Sequence, residues 1–152
     1  MNFLSAMFRR AERYDGVRPI NIYLLRLLYG LMFFMLGNTT WTEVLGHRGA
    51  WGPYDSVAWM VWTGFATLAG LGLLRPLLML PIILLEIFYK VLWLVMVAYP
   101  LWSKGQLAGS PVEGTTMVFL GVILAIVAVP WGYVARQYFT WPARAGSKAV
   151  QA

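Results

Sequence analysis

Four apolar runs dominate the chain, and polar residues gather in the stretches between them. The runs cover residues 20–36, 57–74, 77–101 and 116–139. At about 1.5 Å of rise per residue, helices of these lengths reach across the roughly 30 Å hydrocarbon core of a bilayer. A segment in hydrocarbon must satisfy its own backbone hydrogen bonds, so each run predicts a transmembrane helix. The pattern predicts an all-α integral membrane four-helix bundle, with residues 1–152 forming a single membrane domain.

The two ends of the chain have different patterns. Residues 3–13 place apolar side chains at helical spacing and arginines elsewhere, which predicts a short interfacial helix on the membrane surface. Its apolar stretch is too short for a secretory signal peptide, and no small-residue cleavage site follows it. Residues 143–152 lack apolar periodicity, so we expect a flexible tail there.

Two prolines fall inside the apolar runs. Pro130 should bend the fourth helix or end its regular hydrogen bonding near Ile126, because proline has no N–H. Pro81 leaves two starts open for the third helix. A start at Pro76 puts Pro81 in the second turn, whereas a start near Leu80 puts it at the first helical position, where proline is favourable. Small residues in the second run should let a neighbouring helix approach closely, and these are Thr63, Ala66, Thr67 and Gly70.

The composition agrees with a membrane location. Of the 152 residues, 60% are hydrophobic and 12% are charged, whereas soluble domains are about 25% charged. The chain has no cysteine, which excludes disulfides, thiolate catalysis and cysteine-ligated metal. The net charge is +6, but the basic residues lie near the ends of the runs rather than in one patch, so no nucleic-acid partner is expected. Without a nucleotide-binding glycine loop or a nucleophile elbow, the sequence leaves open whether the protein is an enzyme.

The arginines and lysines predict an orientation. Eight lie on the side of the termini and of the short connection between the second and third runs, and two lie on the opposite side. Basic residues favour the cytoplasm, so both termini should be cytoplasmic. The eight are Arg9, Arg10, Arg13, Arg18, Arg75, Arg136, Arg144 and Lys148, and the two are Arg48 and Lys104. Tryptophans beside the ends of the runs, such as Trp41 and Trp131, are expected to anchor the interfaces.

The third run carries a glutamate and a lysine, Glu86 and Lys90, which share one helix face. Inserting two charges at the middle of a span costs about 5–7 kcal/mol, which nearly cancels the roughly 7 kcal/mol contributed by the apolar side chains of this run. A third helix that exposed the pair to lipid would be marginal, so the pair should face the bundle interior. Arg26 in the first run can either reach Glu86 or extend to the inner headgroups.

These charges predict one buried polar cluster. It comprises Arg26, Tyr29, Glu86 and Lys90, with Tyr89 or Thr67 completing its hydrogen bonds. Ionisable residues inside a membrane are functional-site hypotheses by default, so this cluster is the candidate ligand-binding site. A buried polar group can also serve only to fix helix register. The sequence leaves both roles of Glu86 open.

A connection of nineteen residues, from Gly37 to Asp55, separates the first two runs. Loops of this length are often functional or carry structure of their own, and residues 39–45 can form a short interfacial helix. The candidate residues at this predicted mouth of the bundle are Glu43, His47, Arg48 and Asp55. His47 is the one histidine of the chain, and we expect a solvated loop residue rather than a ligand. With no cysteine and few acids nearby, no metal site is predicted.

Residues 20–133 together resemble the DoxX-like family of small four-helix membrane proteins. The resemblance rests on RLLYGLMFFMLGNTTW, on GFATLAGLGLLRPLLMLP with its short Arg-Pro turn, and on a fourth run after a loop with glycine and proline. It implies a bacterial inner-membrane protein, and some relatives are associated with quinone-linked or sulfur-redox complexes. The chain departs from the family in the position of its acid. Many members carry a glutamate in the second span, whereas Glu86 lies in the third.

The leading hypothesis is a small membrane protein that binds an apolar ligand, or docks to a membrane redox complex, through the buried polar cluster. A quinone or a lipid is the expected class of ligand, and quinone is the cofactor class that the resemblance suggests. A second hypothesis is a structural or assembly subunit, in which the charges pair with a membrane protein partner. A third is a small proton-coupled transporter acting as a homo-oligomer, although Lys90 would neutralise Glu86.

Overall fold

The computed structural model describes residues 7–9 and 11–140, and within these ranges the fold is all-helical. Its helices are α1 (Pro19–Gly46), α2 (Pro53–Leu74), α3 (Leu80–Ser103), α4 (Glu113–Ala128) and α5 (Trp131–Phe139). Helices α1, α2 and α3 are each long and apolar enough to cross a membrane. Helices α4 and α5 pass the same test only as a pair, which is bent by 68°.

Helix α1 is longer than the sequence pattern predicts. It continues from the apolar run to Gly46, so the predicted nineteen-residue loop is wrong, and the connection to α2 comprises only residues 47–52. The hydroxyls of Thr39 and Thr40 donate to the carbonyls of Met35 and Gly37 in the same helix, at 3.1 and 3.3 Å. Because these threonines satisfy their hydrogen bonds within the helix, the polar stretch does not end it.

Helix α3 begins at Leu80, which selects one of the two starts left open by the sequence. Pro81 is the second residue of the helix, in its first turn, where its missing N–H breaks no helical hydrogen bond. The residues from Pro76 to Met79 form the turn that joins α2 to α3. The third helix therefore begins three residues later than the predicted run, and it ends at Ser103.

The break between α4 and α5 lies at Pro130, as predicted. Val129 is extended, with φ −67° and ψ 126°. Because Pro130 has no N–H, the carbonyl of Ile126, four residues earlier, has no helical partner. The indole N–H of Trp131 donates to this carbonyl at 2.9 Å. The side-chain amide of Asn21, in α1, donates to the nearby carbonyl of Ala128, also at 2.9 Å. Two side chains thus satisfy carbonyls that the broken helix leaves free.

Of the helix predicted over residues 3–13, the structure describes residues 7–9 and 11–13, where Met7 and Phe8 are helical and the helix does not continue to residue 13. Ala11 is extended, and its N–H donates to the Val17 carbonyl at 3.3 Å. The chain between them makes one 3₁₀ turn, Glu12–Tyr14, and reverses through Gly16 at φ 75°. Residues 1–6 and 10, and the predicted tail 143–152, lie outside the described residues.

Small residues of α2 allow α1 to approach closely. A Cβ placed on Gly72 would overlap the ring of Tyr29, and one placed on Gly37 would lie 3.7 Å from the Cβ of Ala66. The order of these contacts shows that α1 and α2 run antiparallel. We call the end where α1 begins and α2 ends the proximal end, and the opposite end the distal end.

A buried apolar core lies where α1, α2, α3 and α4 meet. It includes Leu25, Tyr29, Ala69, Leu80, Ile83, Val122 and Ala125. Outside this core, large apolar side chains are exposed along the helices, as at Met35 (67% exposed), Phe88 (66%) and Val118 (69%). An apolar surface of this extent is unusual for a protein in water and typical of helices in lipid.

Candidate functional site

Glu86 and Lys90 form a buried ion pair within α3. Helical spacing places them one turn apart, and the Lys90 ammonium donates to Glu86 Oε1 at 2.5 Å. Their side chains are only 10% and 14% exposed, respectively. Glutamate lies N-terminal to lysine, which is the favourable order along a helix. The sequence prediction that this pair faces the interior is therefore met by the side-chain burial.

Aromatic rings from α2, α3 and α4 pack on one another beside the lysine. The Lys90 ammonium lies 5.6 Å from the centroid of the Phe119 ring, within the usual range of a cation–π interaction. The same ring packs edge to face against Tyr89 and Trp93, with centroids 5.7 and 4.9 Å apart. Phe65 of α2 packs in the same way against Tyr89, at 6.2 Å. The charge pair thus lies where three helices are held together by aromatic contacts.

Two polar atoms near the core have no hydrogen-bond partner among the described residues. They are Glu86 Oε2 and Arg26 Nε, and both are buried. Arg26 forms no ion pair with Glu86, because the ion pairs within residues 11–140 are Glu86–Lys90 and Glu43–His47. The predicted contact between Arg26 and Glu86 is therefore not formed in this structure.

Tyr29 forms its hydrogen bond outside the predicted polar cluster. Its ring is fully buried, and its hydroxyl donates to the Pro76 carbonyl at 3.1 Å. Side chains on a helix lean toward its N-terminus. The hydroxyl of Tyr29 therefore reaches the proximal turn between α2 and α3. Of the predicted cluster, hydrogen bonding joins only Glu86 and Lys90, and Thr67 instead accepts a bond from the Trp41 indole at 3.1 Å.

The candidates from the predicted distal loop do not form one site. His47 Nδ1 lies 3.5 Å from Glu43 Oε1, and its ring stacks on Trp51 with centroids 3.5 Å apart. His47 is thus packed against α1 rather than free in a solvated loop. Arg48 is exposed and forms no ion pair with a described residue. Asp55 lies in the first turn of α2, where a carboxylate favours the positive end of the helix dipole.

No metal-binding cluster is present in the described part of the chain, where no three His, Cys, Asp or Glu residues lie close enough to hold an ion. Three concave features on the surface of the described residues concern the candidate site. We name them the proximal cavity, the apolar groove and the distal groove. None of the three is lined by Glu86 or Lys90.

The apolar groove lies between α3 and α5 and has a volume of about 530 Å³. Its wall on α3 is a row of side chains on one helix face, namely Leu84, Ile87, Phe88, Val91, Leu92 and Val95. Glu86 and Lys90 lie on the opposite face of the same helix. The ion pair thus holds one face of α3 against the bundle, while the other face remains open.

The other two features contain polar groups. The proximal cavity, of about 330 Å³, lies where the start of α1 meets α5, and its lining includes Arg18, Asn21, Tyr133 and Arg136. The distal groove, of about 800 Å³, lies along α1 and α2 and is lined by Phe33, Phe34, Asn38, Trp41 and Thr67. Trp131 lines both the proximal cavity and the apolar groove.

Sequence reasoning missed the residues around the break at Pro130. Arg18 and Arg136 were interpreted only as signals of orientation, and Trp131 only as an interfacial anchor. A signal was present, because a proline within an apolar run leaves the carbonyl four residues earlier without a partner. A nearby donor such as Trp131 was therefore to be expected. The hydrogen bond from Asn21 to the carbonyl of Ala128, 107 positions away in the chain, could not be predicted from the sequence.

Comparison with known proteins adds no relative, because no family model, curated protein or solved structure matches this chain. The resemblance to the DoxX-like family therefore remains an expectation from the sequence.

Proposed function

We propose that the chain is an integral membrane four-helix bundle that binds a lipid-soluble ligand. In this arrangement α1, α2 and α3 each cross the bilayer, and α4 with α5 forms the fourth span. Basic residues near the proximal end favour a cytoplasmic location for this end and for both termini. The location is the bacterial inner membrane, as the family resemblance implies.

The apolar groove between α3 and α5 is the single observation that supports ligand binding. Its volume of about 530 Å³ falls within the roughly 300–1,000 Å³ of known ligand pockets. Apart from the indole N–H of Trp131, which is already bonded to Ile126, its described lining side chains are all apolar. Such a surface suits the ring or tail of a quinone or the acyl chain of a lipid. The ligand therefore lies beside the Glu86–Lys90 pair rather than on it.

The ion pair has a positioning role in this proposal. Lys90 engages Glu86 directly and contacts Phe119 of α4, so the pair fixes how α3 packs on the rest of the bundle. A fixed α3 keeps the row from Leu84 to Val95 opposite α5. No feature of the described residues favours the transporter, because Glu86 already has a cationic partner at 2.5 Å.

Filling the groove tests the proposal. Val91 lines the groove and is 38% exposed, so Val91→Trp should block it without disturbing the core. Native mass spectrometry of gently extracted protein, supplied with a short-chain ubiquinone, a short-chain menaquinone and neutral phosphatidylcholine, measures binding. We expect one bound molecule on the wild type and at least tenfold weaker binding in Val91→Trp.

Val61→Trp is the matched control. Val61 is 50% exposed on α2 and lines none of the three concave features. It should bind the same probe as tightly as the wild type. Equal binding by Val91→Trp and the wild type would refute the proposed site.

An assembly subunit is the second candidate, and one observation favours it. Glu86 Oε2 and Arg26 Nε are buried without partners among the described residues, and a buried unsatisfied polar group costs about 1–3 kcal/mol. A partner chain that supplied the missing hydrogen bonds would remove this cost. In the same mass spectra, a stoichiometric second protein without a small molecule would identify this role.

A further inference from the structure

The proximal cavity carries positive charge that the proposed function does not use. Arg18, immediately before α1, and Arg136, in α5, both line it. No aspartate or glutamate is among its described lining residues. Two guanidinium groups that face one cavity without an acid favour an anionic group, and phosphate fits their planar, bidentate donors.

The remaining walls of the cavity hold it open at the break in the fourth span. The side-chain amide of Asn21 donates to the Ala128 carbonyl at 2.9 Å, and this hydrogen bond connects α1 to the end of α4. Val129 and Pro130 leave the helix here and separate α4 from α5 by the 68° bend. Tyr133 adds an aromatic wall with a polar tip. The cavity is therefore a product of the bent backbone, and its volume is about 330 Å³.

The charged cavity and the apolar groove adjoin each other across one side chain. Trp131 lines both, and its indole is held by the hydrogen bond to Ile126. Helix α5 turns Gly132 and Arg136 to the cavity and Val134 and Phe139 to the groove. A ligand with a charged head and an apolar tail matches this arrangement, because each part meets a surface of its own polarity.

We propose that the proximal cavity and the apolar groove form one binding site for an anionic phospholipid. Arg18 and Arg136 bind its phosphate, and one acyl chain passes Trp131 and lies in the groove along α3. This inference rests on the proposed function, since it takes the groove as the chain subsite and names the class of ligand. The proximal end is the cytoplasmic one in the proposed topology, and basic pockets between helices on that side are suited to anionic headgroups.

Lipid titration of delipidated protein, followed by native mass spectrometry, tests the inference. The probes are phosphatidylglycerol, neutral phosphatidylcholine with the same chains, and inorganic phosphate. Arg18→Gln and Arg136→Gln should each weaken phosphatidylglycerol binding about fivefold, the effect of about 1 kcal/mol for one basic residue near the headgroup. Neither change should alter phosphatidylcholine binding. Both arginines are exposed, so the variants should fold, which circular dichroism and gel filtration check.

Arg75→Gln is the matched control for charge. Arg75 is exposed at the same end of the molecule, between α2 and α3, and does not line the cavity. It should bind phosphatidylglycerol like the wild type. Equal weakening by Arg75→Gln would show attraction by net charge alone and would overturn the inference. Binding of inorganic phosphate as tight as that of phosphatidylglycerol would also overturn it, because the acyl chain would then contribute nothing.

Val91→Trp separates failure of this inference from failure of the proposed function. We expect it to weaken phosphatidylglycerol and phosphatidylcholine alike, since both use the groove. If it does so while the arginine variants leave phosphatidylglycerol binding unchanged, the headgroup site is refuted and the groove stands. If the arginine variants weaken binding but Val91→Trp does not, the groove is refuted, and with it both the joint site and the proposed function.

Discussion

At the scale of single residues, Glu86 and Lys90 depend on each other. Each charge would be costly alone in a low-dielectric interior, and the 2.5 Å contact between them offsets much of that cost. Buried ion pairs are often no more stable than apolar residues of the same shape, whereas breaking one by removing a single partner is strongly destabilising. Substitution of one partner should therefore destabilise the protein more than substitution of both partners by apolar residues.

Lys90→Met should lower the free energy of unfolding by about 3–5 kcal/mol, because it leaves Glu86 buried without a partner. The double substitution Glu86→Leu with Lys90→Met should recover most of this loss, to within about 1 kcal/mol of the wild type. Unfolding by sodium dodecyl sulfate in mixed micelles measures both. Lys104→Met, at an exposed lysine between α3 and α4, is the control and should change stability by less than about 0.5 kcal/mol.

A double variant as unstable as Lys90→Met would contradict this view, since the cost would then come from lost packing rather than from an unpaired charge. Ligand binding measured on the same double variant adds a second result. Retained binding would agree with a positioning role for the ion pair, and lost binding would make Glu86 or Lys90 a ligand contact.

Sequence spacing was sufficient to pair Glu86 with Lys90, because residues four apart on a helix always share a face. It was insufficient for Arg26 and Tyr29, whose partners depend on how separate helices meet. The length and the N-terminal lean of the tyrosine side chain carry its hydroxyl to Pro76, 47 positions away in the chain. Such a contact is fixed by tertiary packing alone.

At the scale of secondary-structure elements, the join between α4 and α5 depends on one indole. Trp131→Phe removes the N–H that bonds the Ile126 carbonyl, and an unsatisfied carbonyl costs about 1–3 kcal/mol. Pro130→Ala supplies a backbone N–H that can bond the same carbonyl. The loss caused by Trp131→Phe should therefore be smaller by about 1 kcal/mol in the Pro130→Ala background, as measured by a double-mutant cycle of unfolding free energies.

An equal loss in both backgrounds would mean that Trp131 contributes packing only. Asn21→Leu offers a comparison, since it removes the bond from α1 to the Ala128 carbonyl, which does not depend on the proline N–H. Its effect on the free energy of unfolding should be the same in the wild type and in the Pro130→Ala background.

The apolar segments could be predicted from the sequence because hydrophobicity is a local property, whereas the predicted end of α1 was wrong. Polar residues after Gly37 indicated a loop, yet Thr39 and Thr40 bond to their own helix and the helix continues to Gly46. The break at Pro130 was predictable because the missing N–H acts wherever proline lies inside a helix. The 68° size of the bend was not, since it depends on packing against α1 and α3.

At the scale of the whole molecule, the absence of cysteine makes the topology directly testable. Gln106→Cys lies between α3 and α4 at the distal end, and Lys148→Cys lies in the C-terminal segment. In intact bacterial cells whose outer membrane is permeabilised, an impermeant maleimide should label Gln106→Cys. Lys148→Cys should be labelled only after the inner membrane is opened. The reverse pattern would refute the cytoplasmic placement of the proximal end.

The grooves could not be predicted from the sequence, because each is formed by side chains from different helices. The row from Leu84 to Val95 has the spacing of any buried helix face, and its position opposite α5 depends on how the helices pack. Arg18 and Arg136 are more than a hundred positions apart and line one cavity because α5 turns back toward α1.

The length of α1 determines where the first connection stands relative to the bilayer. Its 28 residues measure about 42 Å, while a hydrocarbon core is about 30 Å thick. A helix longer than the hydrocarbon core is accommodated by tilting. The last turns of α1, from Asn38 to Gly46, lie beside the first half of α2, because Gly37 packs on Ala66, and His47 stacks on Trp51 where α1 ends. An antibody fragment or spectroscopic label fixed at Arg48 would therefore move as one body with α1 and report its tilt.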